Sequence, residues 1–200
     1  MVSRETRERL DRFAALFADW STRINLVGAS TSSQFWERHV ADSAQLLQLA
    51  PDARHWADLG SGGGFPGMVV AIFLSDRPGA RVDLIESNRK KAAFLQTVRA
   101  RCAPAARVHP ARIEEVVPVL AAPQIVTARA LAPLATLVDL CSPWLEAGSR
   151  ALFHKGRGYD AELAECRAHW DFDLVEHRSR IAADSVIVDL SGVRRRHAHA

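Results

Sequence analysis

Four glycines occupy the five positions from Gly60 to Gly64, with Asp58 before them and Phe65-Pro66-Gly67 behind. Glycines at this density permit positive φ and let a ligand approach bare backbone with no Cβ in the way. Ordering them is costly in conformational entropy, so a turn with no ligand is a poor use of the composition. Glu86 stands 22 residues beyond Gly64 and closes a second apolar run, Val82-Asp83-Leu84-Ile85. A carboxylate at such a strand end can accept both hydroxyls of a ribose. These residues point to holding a nucleoside-bearing ligand.

Two ligand classes compete for the turn. Gly62-x-Gly64-x-x-Gly67 matches the dinucleotide fingerprint. The frame Asp58-x-Gly60-x-Gly62-x-Gly64 matches equally well the acidic, glycine-spaced turn of S-adenosylmethionine enzymes. Asp58 favours the second, because a carboxylate at the strand end suits a cationic methionyl group and repels a pyrophosphate. Pro66 favours it too, falling inside the spacing that a dinucleotide turn needs for close helix–strand packing.

The elements that must position these residues follow from hydrophobic periodicity. Leu10, Phe13, Ala14, Leu16, Phe17 and Trp20 recur at a helical period. A second helix capped by Thr31, Ser32 or Ser33 runs to about Leu49, ahead of Pro51. Strands are then expected at His55–Leu59, Arg81–Ile85, around Val108, at Gln124–Ala128 and at Ala151–His154. The helices between them are Pro66–Leu74, Asn88–Arg101, Leu134–Cys141 and Tyr159–Ala168. Two closing strands, Asp171–His177 and Ser185–Leu190, form an antiparallel hairpin at a sheet edge. The alternation implies a Rossmann-like α/β fold with a mostly parallel sheet. The expected organisation is one domain: a helical extension (1–50), a core (51–193) and a disordered basic tail (194–200).

By the switch-point rule, ligands lie outside the carboxyl ends of the strands. That adds Ile113 and Glu114 after the third strand and Arg129 after the fourth. Ile113 can pack on an adenine face, whereas Glu114 is equally a solvated acid at a helix start. Arg129 follows an apolar strand, where burial without a partner is expensive, so it belongs to the site or to an ion pair.

Composition narrows the classes. Two hundred residues, 48% of them hydrophobic, suffice for one well-packed domain and leave no room for a separate oxidoreductase substrate domain. No apolar run reaches the ~20 residues of a membrane span. The charged start is no secretory signal. Cys102, Cys141 and Cys166 are widely spaced and lack any CxxC pairing, which fits reduced thiols in a cytoplasm and no metal site. A net charge of +3 permits an anionic partner without requiring one.

The spaced motifs carry a further resemblance. Upstream are Trp20 with Ile24-Asn25-Leu26-Val27-Gly28, then Arg38-His39 and Asp42-Ser43. The central stretch is Asp58-Leu-Gly-Ser-Gly-Gly-Gly-Phe-Pro-Gly67. Glu86-Ser87, Arg89-Lys90-Lys91, Phe94-Leu95, Arg129-Ala130 and Lys155-Gly156 follow. In these, over nearly its whole length, the chain resembles the glucose-inhibited division protein B family, bacterial methyltransferases that modify guanine N7 in 16S ribosomal RNA. Val27-Gly28 departs from the pattern, since many members carry Thr there. The resemblance implies S-adenosylmethionine contacts at Gly60, Phe65, Ile113, Glu114 and Arg129, with Glu86 at the ribose. It also implies ribosomal RNA or the small ribosomal subunit as partner, and a monomer is expected. A methyltransferase acting on a small molecule or a protein is the alternative on the same core. An NAD-dependent oxidoreductase and a non-enzymatic RNA-binding module rank lower; the module leaves the glycine turn and Glu86 unexplained.

Guanine N7 carries a free lone pair and no proton, so the implied reaction requires no general base, and no residue is assigned a catalytic role. His39 and Asp42 lie close on one helix and read first as packing or hydrogen-bonding groups, with substrate positioning open. RNA contacts are expected from Arg89, Lys90, Lys91, Arg99, Arg101, Lys155, Arg157 and the tail Arg194-Arg195-Arg196.

Overall fold

A computed structural model describes residues 2–26, 35–181 and 184–196. The helical N-terminal portion contains α1 (Arg4–Ser21), capped by the Ser3 hydroxyl. A π-helical segment (Phe35–Ala41) follows, running into two short helices, α2 (Asp42–Ala44) and α3 (Leu46–Leu49). The expected cap at Thr31, Ser32 or Ser33 and the Val27-Gly28 departure lie outside the described residues.

The strands are β1 (His55–Leu59), β2 (Arg81–Ile85), β3 (Ala106–His109), β4 (Ile125–Arg129), β5 (Arg150–Lys155), β6 (Trp170–Arg178) and β7 (Val186–Arg195). The remaining helices are α4 (Gly67–Leu74), α5 (Arg89–Cys102), α6 (Ile113–Val116), α7 (Leu134–Glu146) and α8 (Tyr159–His169). The sheet order is β3-β2-β1-β4-β5-β7-β6. The first five strands are parallel, while β7 runs antiparallel between β5 and β6. The expected mostly parallel sheet with an antiparallel edge is what forms.

Alternation along the strands divides the core. Trp56, Val82, Leu84, Ile125 and Leu152 face one layer, with α1, the π-helical segment, α4 and α5. Ala57, Leu59, Ile85, Val126, Ala128 and Phe153 face the other, with α7. This is the two-residue side-chain period of a sheet buried on both faces.

Two elements outrun their expected bounds by a full turn or several residues. α7 continues through Pro143, because burying Trp144 and Leu145 (3% and 1% exposed) favours another turn. Proline leaves the carbonyl four residues back without its helical donor, and the Ser142 hydroxyl donates to that oxygen, on Asp139, at 3.1 Å. β7 extends to Arg195, so the tail read as disordered from Arg194 begins as strand. Two of its cations are engaged: Arg195 lies 4.7 Å over Trp170 and pairs with Asp139, and Arg196 pairs with Asp171.

Register shows where that tail points. Val186 stands beside Lys155, at the carboxyl end of β5, and Leu190 beside Ala151, near its start. Residues beyond Leu190 therefore run toward the amino ends of the parallel strands.

Asp83, buried on β2, ties β1, β2 and β3 together. Its carboxylate accepts from Arg81 Nε (2.9 Å), His55 Nε2 (2.8 Å) and His109 Nε2 (2.9 Å). Burial alone would raise its pKa. The two histidine hydrogen bonds and the Arg81 charge outweigh burial and hold the carboxyl well below the usual range. Asp83→Ala is expected to cost roughly 2–4 kcal/mol at pH 7, read from urea midpoints. A depressed carboxyl pKa stabilises above the unfolded value of about 4. The difference between wild type and variant must therefore shrink as pH falls below ~4; a difference independent of pH there would contradict this account.

Candidate active site

The glycine turn leaves β1 with Gly60, Gly62 and Gly64 all at positive φ (63°, 53° and 92°). Asp58 sits beneath it, 1% exposed. One carboxylate oxygen accepts from the Gly67 amide (3.2 Å), the other from the Thr127 hydroxyl on β4 (2.8 Å). Burial pushes this carboxyl up to about 6, against the hydrogen bonds from Thr127, Ser61 and Gly67 and the charge of Arg129. The expectation that Asp58 faces the ligand is thus corrected: its buried carboxylate lines neither hollow and braces the turn from beneath. The argument from Pro66 is corrected as well. A Cβ on Gly67 would lie 2.5 Å from Asp58 Cβ and from Leu84 Cδ2, so helix and strand do pack at glycine distance. Nor are the leading amides of α4 free, since Gly67 donates to Asp58 and Met68 to the Gly64 carbonyl (2.9 Å).

Glu86 is the acid beside the turn. Its Oε2 accepts from the Gly62 amide (2.8 Å) and its Oε1 from the Asn88 amide (2.7 Å). A carboxylate offers about four lone-pair positions, so acceptor capacity remains for a diol. Glu86, Ile113 and Glu114 line one hollow of about 380 Å³ together with Gly60, Gly62 and Leu131. Four expected site residues, Gly60, Glu86, Ile113 and Glu114, thus meet from the ends of three strands, β1, β2 and β3.

A second hollow of about 840 Å³ adjoins it, sharing Gly60, Gly62, Lys91, Ala130 and Leu131. Phe65 and Arg129 belong here. Arg129 does have partners: Nη1 donates to the Arg38 carbonyl (3.0 Å) and approaches Asp42 Oδ2 (3.4 Å), while Nη2 contacts His39 Nδ1. Its guanidinium lies 5.6 Å from the Phe65 ring centre, and the His39 imidazole stacks on that ring at 4.7 Å. Ala130, the next residue, has φ +52°, a conformation that L residues other than Asn and Asp seldom adopt. It turns the chain so that Leu131 comes to rest over Gly60, 2.6 Å from where a Cβ would stand.

The N-terminal layer reaches the turn through aromatic rings. Phe13 lies 5.5 Å from Phe65, 5.6 Å from Phe35 and 6.3 Å from Phe94. This packing brings Arg38, His39 and Asp42 to the crevice, where they line it with His154 and Lys155. Asp42 is 5% exposed; its Oδ1 accepts from Gln45 (2.9 Å) and Ser179 (3.0 Å). Burial, with the charges of Arg129 and Arg38, pulls His39 down to about 4. It is a neutral ring at physiological pH, as a reaction without a base permits. Sequence reasoning missed His154 and Leu131. The strand-end rule that found Glu86 would have found His154 on β5, whereas nothing local singles out Leu131.

The expected basic groups divide. Arg89, Lys90 and Arg157 are exposed at the strand-end face, with Lys91 half-buried in both hollows. Arg38, which is not among the expected groups, is exposed there too, and none of these five has an acidic partner among the described residues. Arg99 and Arg101 end α5, at the opposite edge. Arg194, Arg195 and Arg196 also lie there, away from the crevice. Lys155 is not a phosphate contact: it is buried, donating to the Ala132 carbonyl (2.9 Å) beside Glu162.

A family profile described as rRNA small subunit methyltransferase G matches residues 6–186. Ribosomal RNA small subunit methyltransferase G of Chelativorans sp. is 53% identical over 97% of this chain and 92% of its own. That of Brucella anthropi is 53% identical over 98% and 92%. Among solved structures, the O-methyltransferase TomG of Streptomyces achromogenes superposes with a TM-score of 0.59 at 16% identity, over 92% of this chain and 89% of the other. The ribosomal protein L11 methylase of Lactobacillus delbrueckii gives 0.59 at 14%, over 80% and 79%. At such identities the two structures speak for the fold.

Replacing Asp58 tests what braces the turn. Asp58→Ala leaves the Gly67 amide and the Thr127 hydroxyl buried without an acceptor and is expected to cost roughly 2–4 kcal/mol. A carboxyl whose pKa is raised by folding destabilises as pH rises from the unfolded value near 4 to its folded value near 6. Asp58→Asn should remove that slope between pH 4 and 6 in denaturation midpoints; an unchanged slope would place the titration elsewhere.

Proposed function

The chain belongs to the rRNA small subunit methyltransferase G family, and on that premise we propose that it transfers the methyl group of S-adenosylmethionine to N7 of a guanine in small-subunit ribosomal RNA. The observation that carries this reading is the pair of contiguous hollows divided by Leu131 over the bare backbone of Gly60 and Gly62. The smaller suits an adenosine: Glu86 takes the ribose hydroxyls, and Ile113 and the chain at Glu114 flank the base. The larger, from Phe65 to Arg129, leaves room for the methionyl part and an incoming nucleobase.

Bound there, S-adenosylmethionine supplies an electrophilic methyl on a sulfonium. The chain's work is to align the N7 lone pair with that carbon and to exclude water, which is where the rate comes from when no proton has to move. His39, neutral and engaged at Nδ1 by Arg129, is no base. Arg38, Arg89, Lys90, Lys91 and Arg157 supply the phosphate contacts, in keeping with an RNA acceptor rather than a small molecule or a protein. Three buried free thiols suit a reducing compartment, and we place the enzyme in the cytoplasm.

Calorimetry with S-adenosylmethionine and with NAD is the first test. The former alone should bind, and Gly60→Val should abolish it, since valine must adopt φ +63° against Leu131. NAD binding, or binding of neither, would overturn the reading. N7-methylguanosine should then appear in digests of small-subunit RNA treated with enzyme. An Arg89→Glu/Lys90→Glu variant should bind RNA about tenfold or more weakly, with a shallower salt dependence, at unchanged cofactor affinity.

A further inference from the structure

Two imidazoles in the larger hollow have incomplete hydrogen bonding, and the incompleteness has a sign. Arg129 carries only donors, so its contact makes Nδ1 of His39 an acceptor and leaves the ring proton on Nε2. That Nε2 is shielded from solvent and has no partner. His154 turns Nε2 toward Asp42, 3.4 Å from the backbone oxygen and 3.5 Å from Oδ2. Both are acceptors, so the proton sits on Nε2 and Nδ1 is a bare acceptor, also shielded and unpaired. Among the described residues these are the only buried side-chain polar atoms left unsatisfied. They belong to residues lining one pocket, and buried polar atoms are otherwise almost always paired.

We propose that this pair reads the methyl-accepting base: His39 Nε2–H donates to O6 of guanine, and His154 Nδ1 accepts from its N1–H. The assignment rests on the reading above that guanine is the acceptor. Guanine presents an acceptor next to a donor on that edge. Adenine presents the reverse, an N6 donor beside an N1 acceptor, so both contacts would become repulsive. Uracil shares guanine's order but has no N7 to methylate. Neither contact uses N7, which stays open to the methyl group. His39 rides on the π-helical segment Phe35–Ala41, a rare geometry that recurs at functional sites, and the proposal requires the base to displace what shields Nε2. Burial holds His39 and His154 toward the neutral form, which preserves one donor and one acceptor at physiological pH.

The test pairs enzyme variants with a substrate analogue. Small subunits are reconstituted on rRNA carrying either guanine or 2-aminopurine, which keeps N7 but lacks O6 and N1–H, at the mapped target position. His39→Phe, which keeps the stack on Phe65, and His154→Phe should each slow single-turnover methyl transfer to guanine by about 10- to 100-fold. Affinity for S-adenosylmethionine should stay within twofold. On 2-aminopurine the unaltered enzyme should be slow, and the variants should lose little more. Variants that lose as much on the analogue as on guanine, or an unaltered enzyme that methylates both equally fast, would overturn the assignment. If a variant melts early or loses cofactor, the analogue with the unaltered enzyme decides alone. Methyl found on an atom other than guanine N7 would overturn the functional reading itself, and this assignment with it.

Discussion

The site depends on a carboxylate buried beneath it. Asp58, buried at the end of β1, holds the Gly67 amide with one oxygen and Thr127 with the other. It thereby fixes the start of α4 against β1 and β4 at once. The glycines above it then adopt left-handed φ values that present bare backbone to both hollows. The price of this brace is a desolvated acid whose pKa rises to about 6. A neutral side chain could not accept two hydrogen bonds so economically in that space.

Around this brace the rest is arranged by packing and by the division of charge. Phe13, Phe17, Phe35, Phe65 and Phe94 form one aromatic cluster that locks the N-terminal layer onto the turn. The cluster places a second polar hub, Asp42, against β4 and β5, where it faces Arg129 and His154. Several cations far from the crevice are consumed: Arg195 and Arg196 are ion-paired, and Arg150 is bound to Asp189. Those at the strand ends are left free of acidic partners among the described residues, so positive charge is available where the cofactor and an RNA would meet. A modest net charge therefore says little about the partner, because its distribution is what counts.

Much of this was legible in the chain. β1 and β2 form at the expected residues because alternation of apolar side chains is a local property of five residues. Glu86 could be found because an acid closing such a strand must lie at the sheet's ligand-binding edge. Arg129 could be flagged because a charge after an apolar strand demands a partner, but Asp42, 87 positions away, could not be named. Pro143 reads as a helix stop, and only the burial of Trp144 and Leu145 overrides it. Arg194 to Arg196 read as a basic tail near the site, and only antiparallel pairing with β5 sends them to the far edge.

The sequence by itself determined the element order, the glycine turn, the acid at the end of β2 and the family to which the chain belongs. All of these rest on residue types at short, periodic spacings. Tertiary structure alone decided which way Asp58 points, that His39 and His154 share one pocket, and which arginines stay free. Those outcomes depend on contacts between segments tens of residues apart, where burial and hydrogen-bond partners are set by how helices and strands pack rather than by any local pattern.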